Sequence, residues 1–201
     1  MADYKPSADD IKQLRAMTGA GMLNCKNALV EFSGNIEKAK EDLRKKGLAI
    51  VSKKAARGAS EGLVYAYIHH NGKTGVLVEV NCETDFVART EDFQNLVAEI
   101  AMHIAAKPAS AGVTPEDIPP DTLEAEKDIH REQAKTTGKP DNVIEKIIEG
   151  KLKKFYSEVC VLHQQWVKDD KKTIQDLINE AVAKLGENIV LRKFCRFQIG
   201  E

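Results

Sequence analysis

The dipeptide Asn71-Gly72 stands between two runs of strand-forming residues. It is the strongest short-range signal for a β-hairpin, because the favoured two-residue turn needs positive φ at its centre. The run before it, residues 63–68, is rich in β-branched and aromatic side chains. In the run after it, Val76, Val78, Val80 and Cys82 alternate with Glu79 and Asn81, the period of a strand. Most of the remaining chain repeats at three and four residues, the period of a helix. A small antiparallel sheet among helices is therefore expected, an α+β fold.

Thr84-Asp85-Phe86-Val87 follows the second strand directly. An acid and a large aromatic share a turn there. Taken alone, Phe86 stapling and Asp85 capping the next helix is the simpler reading. The alternative is a contact element pushed into another molecule, with the ring as wedge and the carboxylate as competitor. The next helix is expected over about residues 91–106, with Phe93, Leu96, Val97, Ile100, Ala101 and Ile104 on one arc. His103 lies at the edge of that arc; a packed histidine outweighs a partner contact on position alone, and both readings are carried.

Before the hairpin, three short helices are expected. Ser7 and Asp10 form a capping box for the first, which Gly19 breaks. The second places Met22, Cys25, Leu29 and Phe32 at helical spacing, and Asn35 caps a third that stops at Gly47. A module this small suits binding better than catalysis. Residues 48–60 read as a basic linker with Lys53, Lys54 and Arg57. After residue 106 come a proline-rich loop to residue 120, a helix over about 121–135, a turn at residues 136–140 and a second helix. That pair is expected to project as an antiparallel hairpin. Residues 160–172 read as a connector holding Trp166, then a helix from Ile174, then a closing strand over residues 188–199. The division expected is 1–55 for the helical module and 56–201 for the core, with the hairpin at about 121–160.

Lys plus Arg total 30 and Asp plus Glu total 31, so no net field favours a nucleic-acid backbone. No apolar run approaches the ~20 residues that span a bilayer, and the N-terminus lacks a signal-peptide layout. Neither nucleic acid nor membrane is expected as a partner, and the cytoplasm is the expected location. Cys25, Cys82, Cys160 and Cys195 form no Cys-x-x-Cys pair, so no metal site is assigned, and no cofactor loop or nucleophile elbow is present. An enzyme is not expected. Both faces of the first strand carry apolar residues, and helices cover only one, so a second copy of the chain is a candidate cover for the other.

Two long segments resemble the bacterial elongation factor Ts family: LRAMTGAGMLNCKNAL at residues 14–29 and VNCETDFVA at residues 80–88. Shorter matches lie at residues 35–39, 43–47, 101–106, 138–140 and 149–155. The resemblance implies an exchange factor that binds elongation factor Tu carrying GDP and speeds nucleotide loss. It implies that the first three helices are similar to ubiquitin-associated domains and dock through Arg15, Met22 and Leu23. It implies that Thr84, Asp85, Phe86 and Val87 intrude near the partner's magnesium and switch region; His103 is carried as a further contact candidate. The chain has one sheet where longer members of the family have two, which is similar to the compact, homodimeric form, with Cys195 a candidate at the dimer interface. The competing readings are an adaptor for a ubiquitin-like surface and, from the basic linker, an RNA-binding protein.

Overall fold

The computed structural model describes residues 4–135 and 141–200. Helices α1 (Ala8–Thr18), α2 (Met22–Glu31) and α3 (Ile36–Lys54) come first. The expected capping box is formed: the Ser7 hydroxyl accepts from the Asp10 N–H at 3.0 Å, and the Ser7 N–H donates to the Asp10 carboxylate at 3.3 Å. Gly19, at φ 66°, ends α1 in the left-handed region that only glycine enters freely. The Asn35 side chain accepts from the Lys38 N–H at 3.0 Å and starts α3. Leu14, Cys25, Ala28, Leu29, Ala39 and Leu43 form the buried core of this module.

α3 does not stop at Gly47 but runs through it to Lys54. A glycine inside a helix costs about 1 kcal/mol against alanine, which weakens a helix without ending it. A Cβ at position 47 would lie 3.6 Å from the Ala183 side chain, ordinary contact distance. The basic stretch from residue 48 is thus mostly helix, and only residues 55–60 link it to the sheet.

Strands β1 (Glu61–Ile68) and β2 (Thr74–Cys82) are the predicted hairpin, with Gly72 at φ 67° in its turn. Gly62 is the other glycine that geometry demands. At φ 147°, a Cβ there would sit 2.2 Å from the Val80 carbonyl oxygen, so β1 can lie against β2 only with glycine at that point. Val76, Val78, Val80 and Cys82 are buried, as their alternation predicts.

A one-turn helix α4 (Asp85–Ala88) follows, then α5 (Glu91–Ala106), then a loop with a 3₁₀ turn at Pro115–Asp117. α6 (Pro120–Lys135) and α7 (Asp141–Val159) pack on each other as a hairpin-like pair. The expected turn at residues 136–140 lies outside the described residues. Residues 160–172 are more than a connector. A 3₁₀ turn at Val161–His163 leads into β3 (Gln165–Trp166) and β4 (Asp169–Thr173), a small antiparallel pair. Its strands are short and polar, so no apolar alternation marks them. α8 (Ile174–Leu185) and β5 (Val190–Gln198) complete the fold. The main sheet has the order β1-β2-β5, which puts β2 in the middle.

The chain forms two compact units. One holds Met1–Leu63, Val80–Leu96 and Asp176–Val190; the other holds Val64–Glu79, Val97–Gln175 and Leu191–Glu201. The three-helix module therefore shares its unit with the segment containing Thr84 to Val87. Among the described residues, no helix is long and apolar enough to cross a membrane, and no cluster of His, Cys, Asp and Glu could hold a metal ion.

Candidate partner-docking site

The segment Thr84-Asp85-Phe86-Val87 is an N-cap followed by the first three residues of α4. Thr84 is extended, and its hydroxyl accepts from the Val87 N–H at 3.4 Å. Capping of this kind satisfies one of the donors that a helix start leaves open. Phe86, the second residue of the turn, is 78% exposed. It therefore staples nothing. Asp85 does not cap α5 either, because the Thr90 hydroxyl accepts from the Phe93 N–H at 3.3 Å and takes that place. Asp85 instead pairs with Arg89 one turn on, at 2.7 Å. The pair is open to water, so it is worth at most about 1 kcal/mol and can be exchanged for another partner.

The base of α4 is held firmly. The Glu187 carboxylate accepts from the Glu83 and Thr84 N–H groups at 3.1 and 3.0 Å and from the Thr84 hydroxyl at 2.7 Å. Glu83 in turn accepts from the Asn188 N–H at 2.7 Å and pairs with Arg57 at 3.4 Å. That amide bond first, and then the Arg57 charge, hold the Glu83 carboxyl below the usual carboxylate range. The Cys82 thiol donates to the Thr84 carbonyl at 3.1 Å, and burial pushes its pKa up, so it is an inert packed thiol.

A second exposed patch lies on the three-helix module. Met22 and Leu23, at the start of α2, are 57% and 68% exposed, and Arg15 on α1 is exposed as well. Their neighbours Leu14 and Cys25 are buried, which fixes the direction in which the patch faces. Large apolar side chains left in water at a helix start serve no core.

His103 is placed differently from the contact candidate it was. It is fully buried, its Nε2 donates to the Gln164 side-chain oxygen at 2.8 Å, and its Nδ1 accepts from the Val167 N–H at 3.3 Å. Gln164 is completed by its donation to the Ser110 hydroxyl at 3.0 Å and to the Glu158 carbonyl at 2.8 Å. A side chain enclosed in this way offers no surface to a partner; it ties α5 to the segment after α7. Cys195 is exposed on β5. The residues that the sequence did not suggest are Glu187, Asn188 and Arg57, since nothing in their spacing relates them to residues 83 and 84.

The profile of the family described as Elongation factor TS matches residues 6–201. The chain belongs to the elongation factor Ts family. It is 59% identical over 195 residues to elongation factor Ts of Caldanaerobacter subterraneus subsp. tengcongensis, covering 97% of each chain. It is 58% identical to elongation factor Ts of Fervidobacterium nodosum, covering 97% of this chain and 98% of that one. Against the Geobacter metallireducens protein the identity is 57%, covering 97% and 90%. These elongation factor Ts relatives share the short form, since the match covers nearly all of both chains. With family membership comes the general role of a nucleotide exchange factor toward elongation factor Tu, and not that of an enzyme.

Proposed function

We propose that this chain releases GDP from elongation factor Tu through a two-point grip. Arg15, Met22 and Leu23 dock on the partner, and α4 drives Phe86 between its elements near the magnesium and switch region, with Thr84, Asp85 and Val87 around it. The observation that carries this reading is a large aromatic ring, 78% exposed, on a helix turn whose base is held by hydrogen bonds. Exposure provides the surface to bury, and the bonds provide the direction.

The energetics require both points. A ligand shifts an equilibrium only by its differential affinity for the two states. Each decade of lost GDP affinity needs about 1.4 kcal/mol. Burying one aromatic provides about 1.5–3 kcal/mol. The ring alone therefore accounts for one or two decades, and the docking patch adds the affinity that holds the ring against the partner. The coupling is reciprocal, so bound GDP weakens the grip by the same factor. Asp85 can leave Arg89 for a partner group at little cost, because the pair is exposed.

The outer face of the main sheet supports the homodimer. Val64, Ile68, Leu77, Phe197 and Ile199 are all exposed there, and Cys195 is on the same strand as Phe197. A patch of this kind on a small protein calls for a cover, and a second copy presents a matching face. Translation places the protein in the cytoplasm, where Cys195 stays reduced by default.

The test is release of labelled GDP from purified elongation factor Tu, with light scattering to count chains. Catalytic amounts of the chain are expected to accelerate release, and the free chain is expected to scatter as a dimer. Release at the spontaneous rate would overturn the proposal.

A further inference from the structure

Chain segments far apart in sequence close a ring of hydrogen bonds behind α4. Glu187 follows the end of α8, and it binds both the backbone and the hydroxyl of Thr84, at 3.0 and 2.7 Å. The hydroxyl has a single proton, and Glu187 takes it. The lone pairs of the Thr84 oxygen are then left facing the Val87 N–H, which is the cap of α4. Glu187 thus sets the orientation of the group that starts the helix. The ring continues away from the site. Asn188 donates its N–H to Glu83 at 2.7 Å and its side-chain amide to the Arg57 carbonyl at 2.8 Å. Lys54, the last residue of α3, donates to the Gly186 carbonyl. Hydrogen bonds to a carboxylate are about twice as strong as neutral ones, and Glu187 accepts three of them at the base of α4.

We infer that Glu187 is a positioning residue for nucleotide exchange: acting through Thr84, it fixes the direction in which α4 presents Phe86, and Asn188 ties that direction to the end of α3. The inference rests on the wedge reading of Phe86. Glu187 is half-buried behind the turn rather than beside the ring. Its loss leaves the docking patch and the ring itself in place and changes only how the ring is aimed.

The experiment measures labelled GDP release from elongation factor Tu over a range of concentrations of the full chain. It yields a maximal stimulated rate and a half-saturating concentration for wild type, Glu187→Ala, Glu187→Gln and Phe86→Ala. Misplacement of a contact group by an ångström costs up to roughly a hundredfold, so Glu187→Ala is expected to lower the maximal rate on the order of tenfold. Half-saturation is expected to stay within about a factor of two, because docking is untouched. Hydrogen exchange at the Thr84 and Val87 amides is expected to speed up. Glu187→Gln keeps one acceptor oxygen for the Glu83 and Thr84 N–H groups but turns a donor toward the Thr84 hydroxyl, and is expected to recover only part of the rate. A wild-type maximal rate in Glu187→Ala, or a weakened half-saturation with the maximal rate intact, overturns the inference. Should Glu187→Ala fail to fold, Glu187→Asp, whose shorter side chain cannot keep all three bonds, decides in its place, with the same selective loss expected and a wild-type maximal rate overturning it. The wedge reading fails separately, through a wild-type rate in Phe86→Ala.

Discussion

Replacing Phe86 by alanine separates stability from function more sharply than any other single change. The ring is 78% exposed, so about a fifth of it is buried in the free chain. Full burial of such a side chain is worth about 1.5–3 kcal/mol, so truncation removes only about 0.3–0.6 kcal/mol of stability. No cavity is created, because no core surrounds the ring. The other four-fifths becomes available on binding, about 1.2–2.4 kcal/mol. At about 1.4 kcal/mol per decade, that is a loss of roughly 7- to 50-fold in stimulated GDP release. Urea unfolding measures the first quantity, and fluorescent GDP release from elongation factor Tu measures the second. A variant that unfolds more than about 1.5 kcal/mol easier would mean the ring is structural. A variant that releases GDP within about a factor of two of wild type would mean the ring is not the wedge.

Arg15→Ala is expected to weaken the complex about tenfold by calorimetry while the melting temperature holds, since the side chain is exposed. Leu77→Glu sets a charge on the outer face of the middle strand and is expected to turn a dimer into a monomer in sedimentation. Burial, with a smaller effect from the Lys107 charge, holds the His103 pKa below its ordinary value against the Gln164 bond, so the folded chain keeps it neutral. Below the unfolded value of about 6.5, only the unfolded chain takes that proton. Stability is then expected to fall by up to about 1.4 kcal/mol per pH unit below 6.5, until the folded pKa is reached. Denaturant midpoints between pH 7 and 5 check this, and a wild-type slope no steeper than that of His103→Leu would refute it.

The elements with strong periodicity were legible. α5 begins and ends where its apolar arc predicts, and the β1–β2 hairpin turns at Asn71-Gly72. The misses have separate causes. α3 runs past Gly47 because one glycine weakens a helix by only about 1 kcal/mol and does not end it. The β3–β4 pair is set by backbone pairing of short strands that are polar apart from Trp166, which leaves no apolar alternation. Of the exposed half of the candidate site, Arg15 comes only with the family resemblance, Met22 shares a helical spacing with the buried Cys25 and Leu29, and Phe86 on its own reads as a staple; their exposure is what the structure adds. The half that holds it, Glu187 and Asn188, is not legible in the sequence, because a carboxylate binding a backbone amide a hundred residues away has no spacing rule.

In the proposed grip, that hidden half bears on whether the exposed half can work. Fixing the backbone of one residue costs about 1–2 kcal/mol of conformational entropy. If residues 84–87 were unordered in the free chain, binding would have to order all of them, at about 4–8 kcal/mol. The ring returns about 1.5–3 kcal/mol on burial, so a loose Phe86 would lose more by docking than it gains. The three bonds from Glu187 and the Thr84 cap place that ordering in the folding of the chain, before any partner arrives. If Phe86 is the wedge proposed above, the sign of its contribution depends on residues that need not touch the partner. In the proposed grip, substitutions behind α4 are expected to reduce exchange by loosening the placement of Phe86, and substitutions on α1 and α2 by weakening docking.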